Sequence, residues 1–259
     1  MMTIGDRMKT FYENRSKTFL SRRTPVIIRI DGKSFHTFTK GFEKPFDLVL
    51  RDSMNEMIKS MCKSMMGIKV AYTQSDEVSF LLTDFDKLDT EAWFDYNIQK
   101  VCSVSASMAT LHFNKAFQNL VKGLDDSHPL KSKYESKIFT ALFDSRCFNI
   151  PEQEVTNYFI WRQQDATRNA IQSLGYKYFS YQTLIGKNCS EIQEMLFQTH
   201  NVNFNDYPVP FKRGFCVHKE YYNLDDGTLR SRWKEDFNIP IFTQEKDYIE
   251  KFLIVNTED

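Results

Sequence analysis

The sequence lacks the features that mark several large protein classes. No apolar run approaches the roughly 20 residues of a membrane-spanning helix, and the amino terminus has no apolar core of a secretory signal. The five cysteines are scattered, odd in number and never spaced as Cys-x-x-Cys, which indicates neither a zinc site nor a disulfide framework. These absences predict a cytoplasmic protein that contacts no membrane and keeps its thiols reduced.

A charge imbalance and a Walker loop are also absent. The 34 basic and 34 acidic residues of this 259-residue chain cancel formally, which argues against a protein that coats nucleic acid through electrostatics alone. The Gly-x-x-x-x-Gly-Lys pattern of P-loop enzymes does not occur. The chain is instead rich in apolar residues, 41% hydrophobic and 15% aromatic, and this composition is typical of a folded globular protein.

The first informative stretch is a β-branched run that ends at a carboxylate. Residues 26–30, Val-Ile-Ile-Arg-Ile, read as a buried strand, and Asp31 and Gly32 follow it directly. A glycine at this position lets the backbone approach a ligand closely. The stretch therefore places an acidic side chain and an open backbone at the end of one strand.

A second acidic site lies in a predicted hairpin, where two strand-like runs are joined through Ser75, Asp76 and Glu77. When the first strand lies beside this hairpin, Asp31 and Asp76 converge, and the backbone carbonyl of Gly32 adds a third hard oxygen ligand. Two Mg²⁺ ions in such a site activate an attacking oxygen and stabilise a leaving pyrophosphate. Each acidic site alone is typical of an ordinary turn, but the pair predicts metal-dependent chemistry.

The remaining pattern predicts alternating strands and helices. In the first half, periodicity predicts an amphipathic helix over 5–20, a methionine-rich core helix between Pro45 and Gly67 and a long helix over 91–121. A strand follows over 137–150, broken near 144–146. The second half is predicted to contain helices over 151–174 and from Ser190, a strand over 211–217 and a hairpin over 221–243. This order predicts an α+β fold. Residues 1–150 would form a ferredoxin-like sandwich with helices over one sheet face, and residues 151–259 a helix-rich extension with C-terminal strands.

Groups near the acidic sites suit a triphosphate. The segment from Gly32 to Phe35 offers successive backbone N–H groups, which line phosphate oxygens in anion-binding nests. Candidate charge partners for the phosphates are Lys33, Lys44 and Lys100. His36 is a candidate for stacking on a nucleotide or hydrogen bonding to it, although a lone histidine in an aromatic segment is more often structural.

Several blocks resemble, in chain order, the tRNA-His guanylyltransferase superfamily. They are Arg29 to His36, Phe42 to Pro45 with Asp47, Gln74 to Glu77, Phe143 to Arg146, Trp161 to Gln163 with Asp165, and Arg213-Gly214. The match spans about residues 5 to 220. The resemblance implies a catalytic domain related to the polymerase palm, with chain growth from 3′ to 5′. The 5′ end of a tRNA is activated with a nucleoside triphosphate such as ATP or GTP, and the 3′-hydroxyl of an incoming nucleotide then attacks it.

The resemblance also implies roles for individual residues. Asp31, the Gly32 carbonyl and Asp76 would hold the Mg²⁺ ions, with Glu77 supporting the catalytic site beside them. Triphosphate contacts would come from Ser34, Phe35 and His36, the border of the activating nucleotide from Lys44 and Asp47, and contacts to a second triphosphate from Ser75 and Lys100. Arg162, Arg168 and Lys212 would contact the tRNA. Similar proteins assemble as homotetramers, which the resemblance implies here too.

One segment departs from the eukaryotic enzymes. They carry His-Ile-Asn-Asn-Leu-Tyr-Asn-Thr after the Trp-Arg-Gln block, whereas this chain has Thr167 to Leu174 without the histidine. The departure resembles the like-protein branch, which adds nucleotides opposite a template and repairs tRNAs truncated at the 5′ end. Three alternatives stay open: addition of the extra 5′ G to tRNA-His, a palm-type nucleotidyl cyclase, and a non-catalytic tRNA-binding module.

Overall fold

The computed structural model describes residues 2–254. Its strands are β1 (Val26–Gly32), β2 (Ile68–Gln74), β3 (Glu77–Leu82), β4 (Phe143–Asn149), β5 (Phe215–Asn223) and β6 (Leu229–Asp236). They form one sheet in the order β4-β1-β3-β2-β5-β6, and every neighbouring pair is antiparallel. The chain is therefore a mixed α and β fold, as predicted, and both strands of the 221–243 region extend the same sheet.

The helices are α1 (Ile4–Phe11), α2 (Phe35–Phe38), α3 (Leu48–Ser64), α4 (Ile98–Lys122), α5 (Lys131–Glu135), α6 (Glu152–Tyr178), α7 (Tyr181–Leu184), α8 (Cys189–His200), α9 (Val209–Arg213) and α10 (Asp247–Glu250). Short 3₁₀ turns occupy Glu13–Ser16, Trp93–Tyr96 and Phe204–Asp206. Within residues 2–254, no helix combines the length and the apolarity that a bilayer crossing requires.

Helices cover both faces of the sheet: α3 and α4 lie over one face, and α6, which belongs to the predicted extension, covers the other. Ile28 and Ile30 of β1 belong to the core beneath α3 and α4, whereas Ile27 packs with Val155 and Phe159 of α6 on the opposite face. Successive side chains of a strand alternate between faces. A strand covered on both faces therefore reads as a continuous apolar run, which is the pattern of residues 26–30.

The methionine stripe of α3 is confirmed as core. Met54, Met57 and Met61 are fully buried beneath the sheet. The helix begins at Leu48 because the Asp47 side chain accepts a hydrogen bond from the N–H of Leu50, as an N-cap does.

Other element boundaries differ from prediction for local reasons. The first helix ends at Phe11 and buries no side chain, so its apolar residues are not part of the hydrophobic core. The helix after the acidic hairpin begins only at Ile98, where Asn97 caps it. Strand β4 pairs with β1 without interruption through Ser145, so the strand has no break near 144–146, where one was predicted.

The C-terminal half shows three further differences. The helix predicted over 151–174 extends to Tyr178, and residues 209–213 form α9 before β5 begins at Phe215. The capping box of α8 joins Asn188 and Glu191, and the helix begins at Cys189, one residue before the predicted start at Ser190. For α8, the Asn188 side chain that accepts from the Glu191 N–H sets the start of the helix.

Candidate active site

An acidic cleft lies where β1 ends and β2 turns into β3. Antiparallel pairing sets Asp31 directly across from Glu77 on one side and from Asp144 on the other, so these three side chains project from the same sheet face. Asp76 occupies the turn between β2 and β3. Asp31, Asp76 and Glu77 line one cleft of about 390 Å³. The structure thus brings together the predicted carboxylates.

The tight turn between β2 and β3 fixes the position of Asp76. Ser75 adopts a left-handed backbone conformation, with φ of 50°, and its hydroxyl donates to the Asp76 carboxylate at 3.0 Å. The hydroxyl of Thr73 donates to the Glu77 carbonyl oxygen at 2.7 Å and closes the turn. The turn therefore directs the Asp76 side chain into the cleft instead of into solvent.

The pKa values of both carboxylates are raised. Burial and the charge of Asp31 raise the pKa of Asp76 from 3.8 to about 6. Burial, followed by the charge of Asp144, also raises the pKa of Asp31, although nearby arginines oppose this. Among residues 2–254 no cationic side chain forms an ion pair with either carboxylate. Two partly buried carboxylates without a bonded cation suit a divalent ion.

The third carboxylate is held by an arginine. Arg162 of α6 is 6% exposed, and its guanidinium donates to both oxygens of Glu77, each at 2.7 Å. It also donates to Asp165 at 3.0 Å. The Arg162 guanidinium is thus buried and bonded to carboxylates, and it orients Glu77. Its tRNA contact stays a prediction.

This pairing defines which groups could hold a metal. Across residues 2–254, no group of three or more His, Cys, Asp or Glu side chains has the arrangement of a metal centre. The carboxylates of Asp31 and Asp76 remain as donors that line the cleft, and the Gly32 carbonyl stays a predicted third donor. Mg²⁺ in proteins is commonly held by one or two carboxylates together with substrate phosphates and water, so this smaller donor set fits Mg²⁺.

Part of the predicted triphosphate-binding segment makes contacts within the protein itself. The N–H of Lys33 donates to the Leu142 carbonyl oxygen at 2.8 Å, and the Phe35 ring packs in the core. A Cβ on Gly32 would lie 2.2 Å from that ring, so only glycine fits there. The backbone N–H groups of Phe35 and His36 begin α2 and have no intrahelical acceptor. These backbone groups, not the Phe35 side chain, are available for an anion.

Asp47 lines the cleft, but its carboxylate serves as a cap. It accepts hydrogen bonds from the N–H groups of Leu50 and Glu43, at 2.8 and 3.0 Å, and from the Tyr134 hydroxyl at 2.7 Å. Lys44 is exposed and does not line the cleft. The nucleotide contact of both residues stays a prediction.

Three cationic residues that were predicted to bind substrate, Lys100, Arg168 and Lys212, do not line the cleft. The first turn of α4 carries Lys100 near the Asn149 end of β4, away from Asp31, because α4 runs antiparallel to β4 and bonds it through Ser105. The other two, Arg168 and Lys212, line a second cavity of about 430 Å³. A single chain therefore does not bring Lys100 to Ser75, and the tRNA contacts of the other two stay predictions.

An aromatic and cationic wall of the cleft was missed by sequence reasoning. The rings of Phe46 and Phe211 stack at 4.9 Å with 11° between their planes, and the Arg51 guanidinium lies 5.6 Å from the Phe211 ring. Arg213 completes this wall. In the sequence, Gly214 was one available signal of this wall, because a Cβ at that position would lie 2.3 Å from the Thr73 carbonyl oxygen. The segment around Gly214 therefore packs tightly on β2.

Replacing Asp76 with asparagine is expected to stabilise the metal-free protein. Because the folded-state pKa is raised to about 6 from 3.8, the stability that protonated Asp76 contributes is complete below pH 3.8 and is lost as pH rises through about 6. At pH 8 the free energy of unfolding of Asp76→Asn should exceed that of the natural chain by on the order of 2 kcal/mol, as measured by urea unfolding in EDTA.

The matched control for this stability measurement is Asp144→Asn. Asp144 also repels Asp31, but its carboxylate is exposed and paired with Arg146, so its replacement removes an ion pair together with the repulsion and should change stability little. Added Mg²⁺ should reduce the difference between Asp76→Asn and the natural chain. Equal stability of Asp76→Asn and the natural chain in EDTA at pH 8 would show that burial and the Asp31 charge do not destabilise ionised Asp76.

Comparisons with known proteins show which family the chain is similar to. The family model described as tRNAHis guanylyltransferase (Thg1) matches residues 5–151. A probable tRNA(His) guanylyltransferase of Dictyostelium discoideum is 30% identical over 225 residues, covering 80% of this chain and 81% of that protein. A bacterial Thg1-like protein solved in complex with ATP is 44% identical, with a TM-score of 0.84, covering 98% of this chain and 100% of the other. A bacterial Thg1-like protein in complex with GTP is 43% identical, with a TM-score of 0.78 and coverages of 96% and 98%.

Proposed function

The chain belongs to the tRNAHis guanylyltransferase (Thg1) family and is a nucleotidyltransferase, and from this premise we propose that it is a template-dependent 3′-to-5′ polymerase. It adds nucleotides to the 5′ end of truncated tRNA after a nucleoside triphosphate has activated that end. Both ATP and GTP are proposed substrates, because the similar bacterial proteins are complexes with these nucleotides.

The observation that carries this proposal is the convergence of Asp31 and Asp76. Asp31 lies on β1 and Asp76 in the turn between β2 and β3; both line one cleft, and neither has a bonded cation within the described chain. We propose that they hold two Mg²⁺ ions with the Gly32 carbonyl. Bound there, Mg²⁺ supplies charge neutralisation for phosphates and activates an attacking oxygen. The cleft, with its volume of about 390 Å³, is of the size of a small-molecule site.

The chain's own residues position the reactants. The Phe46 and Phe211 rings give a flat apolar wall against which a nucleobase can lie. Arg51 and Arg213 on the same wall attract phosphate oxygens. Arg162 bonds both oxygens of Glu77 and so holds that carboxylate in a fixed orientation beside Asp76. These residues orient a triphosphate with its phosphates toward the carboxylates.

The topology supports a palm-related catalytic domain. The first four strands follow the path β1-α3-β2-β3-α4-β4 and take the sheet order β4-β1-β3-β2, which is the split β-α-β arrangement of ferredoxin-like domains. We propose that residues 1–150 form this catalytic domain and residues 151–259 its extension. The homotetramer and the cytoplasmic location are also proposals, which sedimentation and cell fractionation would test.

A templated extension assay tests the proposed reaction. A tRNA lacking its first nucleotide is supplied with ATP for activation and with each nucleoside triphosphate in turn. We expect addition of the nucleotide complementary to the opposing base, since a template selects through base pairing. Addition of G whatever the opposing base, and only to tRNA-His, would instead identify a dedicated guanylyltransferase. Release of a cyclic nucleotide without RNA would identify a cyclase, and RNA binding without any addition a non-catalytic module.

A further inference from the structure

Trp161 presents a large aromatic surface beside the acidic cleft. Its exposed fraction is 52%, compared with 6% for Trp93. Contacts nonetheless fix the ring: the Tyr158 ring meets it edge-on at 5.8 Å, and the guanidinium groups of Arg162 and Arg29 lie 4.5 and 5.8 Å from its centroid. The indole is therefore held in one orientation while half of it stays open, which provides a preformed stacking surface.

The position of this ring relates it to the reacting centre. Arg29 precedes Asp31 by two residues on β1, so both side chains project from the same face, roughly 7 Å apart along the strand. Arg146 lies across from Arg29 on β4, is exposed and pairs with Asp144 at 2.7 Å. Trp161, Arg29 and Arg146, here called the Trp161 patch, thus form a positive and partly aromatic surface about two stacked bases away from Asp31.

The chemistry of the patch differs from that of the cleft. The cleft is a concave space that suits one small triphosphate, whereas the Trp161 patch is open to solvent. Nucleobases that are not covered by a neighbouring base stack on aromatic rings and on guanidinium planes, and this stacking tolerates any base. The end of an RNA duplex exposes such a base pair, and its phosphates are attracted by nearby cations.

From this arrangement we infer that Trp161 stacks on the terminal base pair of the RNA acceptor end and so places its 5′ terminus at Asp31. The inference rests on the proposed function, because it takes the RNA end as the substrate of the cleft. The Arg29 charge, beside the Arg146–Asp144 pair, draws the phosphates next to the terminal pair toward the sheet face. Stacking that ignores base identity suits an enzyme that extends different RNA ends by one nucleotide.

Binding measurements on three variants test this role. A fluorescently labelled tRNA lacking its first nucleotide is titrated with protein in Mg²⁺ and without any nucleoside triphosphate, so no addition occurs. Trp161→Ala should weaken binding by about 10-fold or more, and Trp161→Phe, which keeps a flat ring, by less than about threefold. Tyr176→Ala is the matched control, because Tyr176 lies on the same helix with the same exposed fraction of 52%. It should bind the tRNA as the natural chain does.

Two further measurements separate stacking from other roles. Binding of ATP alone should be unchanged in Trp161→Ala, because the ring does not line the cleft. The tRNA should quench tryptophan fluorescence in the natural chain, and Trp161→Phe should lose most of that quenching, since the other tryptophans are Trp93 and Trp233 at a distance from the patch. A circular-dichroism melt checks that each variant is folded.

The outcomes are distinguishable from failure of the proposed reaction. Unchanged tRNA affinity in Trp161→Ala overturns the inference, even if the natural chain extends tRNA. If sedimentation shows that Trp161→Ala dissociates an assembly of the chain and the tRNA affinity falls only for that reason, the inference is also overturned. Trp161 would then lie at a contact between copies of the chain. Loss of affinity with an unchanged assembly supports it, even if the extension assay shows no templated addition.

Discussion

Asp31→Ala is expected to reduce nucleotide addition to a 5′-truncated tRNA by about 1,000-fold or more. The residue supplies one of the two carboxylates that converge in the cleft, and its loss leaves Asp76 alone to hold the ions. Steady-state and single-turnover extension assays with saturating tRNA and ATP measure the effect. The loss should appear in kcat, because the ions act on the reacting phosphate rather than on distant parts of the RNA.

The stability of this variant provides an internal check. Asp31 raises the pKa of Asp76 by charge repulsion, so removing it should leave the metal-free melting temperature unchanged or higher. Asp144→Ala is the matched control: Asp144 faces Asp31 from β4, but its exposed carboxylate pairs with Arg146 at 2.7 Å and does not line the cleft. We expect Asp144→Ala to retain most activity. Near-normal addition by Asp31→Ala would reject the metal assignment.

The second large effect is expected at Arg162. Its guanidinium is buried and bonded to both oxygens of Glu77, so Arg162→Ala leaves a buried carboxylate without a partner. Breaking such a pair costs about 3–5 kcal/mol, which corresponds to a fall in melting temperature of roughly 10 °C for a chain of this size. Nucleotide addition should fall as well, because Glu77 is then free to move within the cleft.

A double variant separates this structural role from a tRNA contact. In Glu77→Leu/Arg162→Met both charged groups are replaced by apolar side chains of similar volume, and we expect the melting temperature to recover above that of Arg162→Ala. A surface contact to tRNA predicts the opposite pattern, with reduced tRNA affinity and an unchanged melting temperature. Equal melting temperatures of Arg162→Ala and the natural chain would show that the pair with Glu77 contributes nothing to stability.

Some of the fold could be predicted because its signals are local. The β-branched run before Asp31, the paired runs around Ser75 and the methionine stripe of α3 each follow from the spacing of neighbouring residues. The boundaries were less accurate. The region predicted as a strand from 137 becomes β4 only at Phe143, because pairing with β1 decides where the strand begins.

The partners of the charged groups could not be predicted in this way. A turn aspartate and a helix arginine look alike in sequence whether they face solvent, a ligand or each other. Glu77 and Arg162 are separated by 85 residues, and their pairing depends on how α6 crosses the sheet. The same applies to Phe46 and Phe211, which form one wall only after α9 packs beside the start of α3.

The sequence by itself determined where the two carboxylates stand, at a strand end and in a hairpin turn, because backbone geometry over a few residues sets both. Only the tertiary structure decided that Glu77 is bound by Arg162, that Asp47 caps a helix and that helices cover both sheet faces. These outcomes depend on contacts between segments far apart in the chain, whose energies are settled by packing and desolvation rather than by local backbone preference.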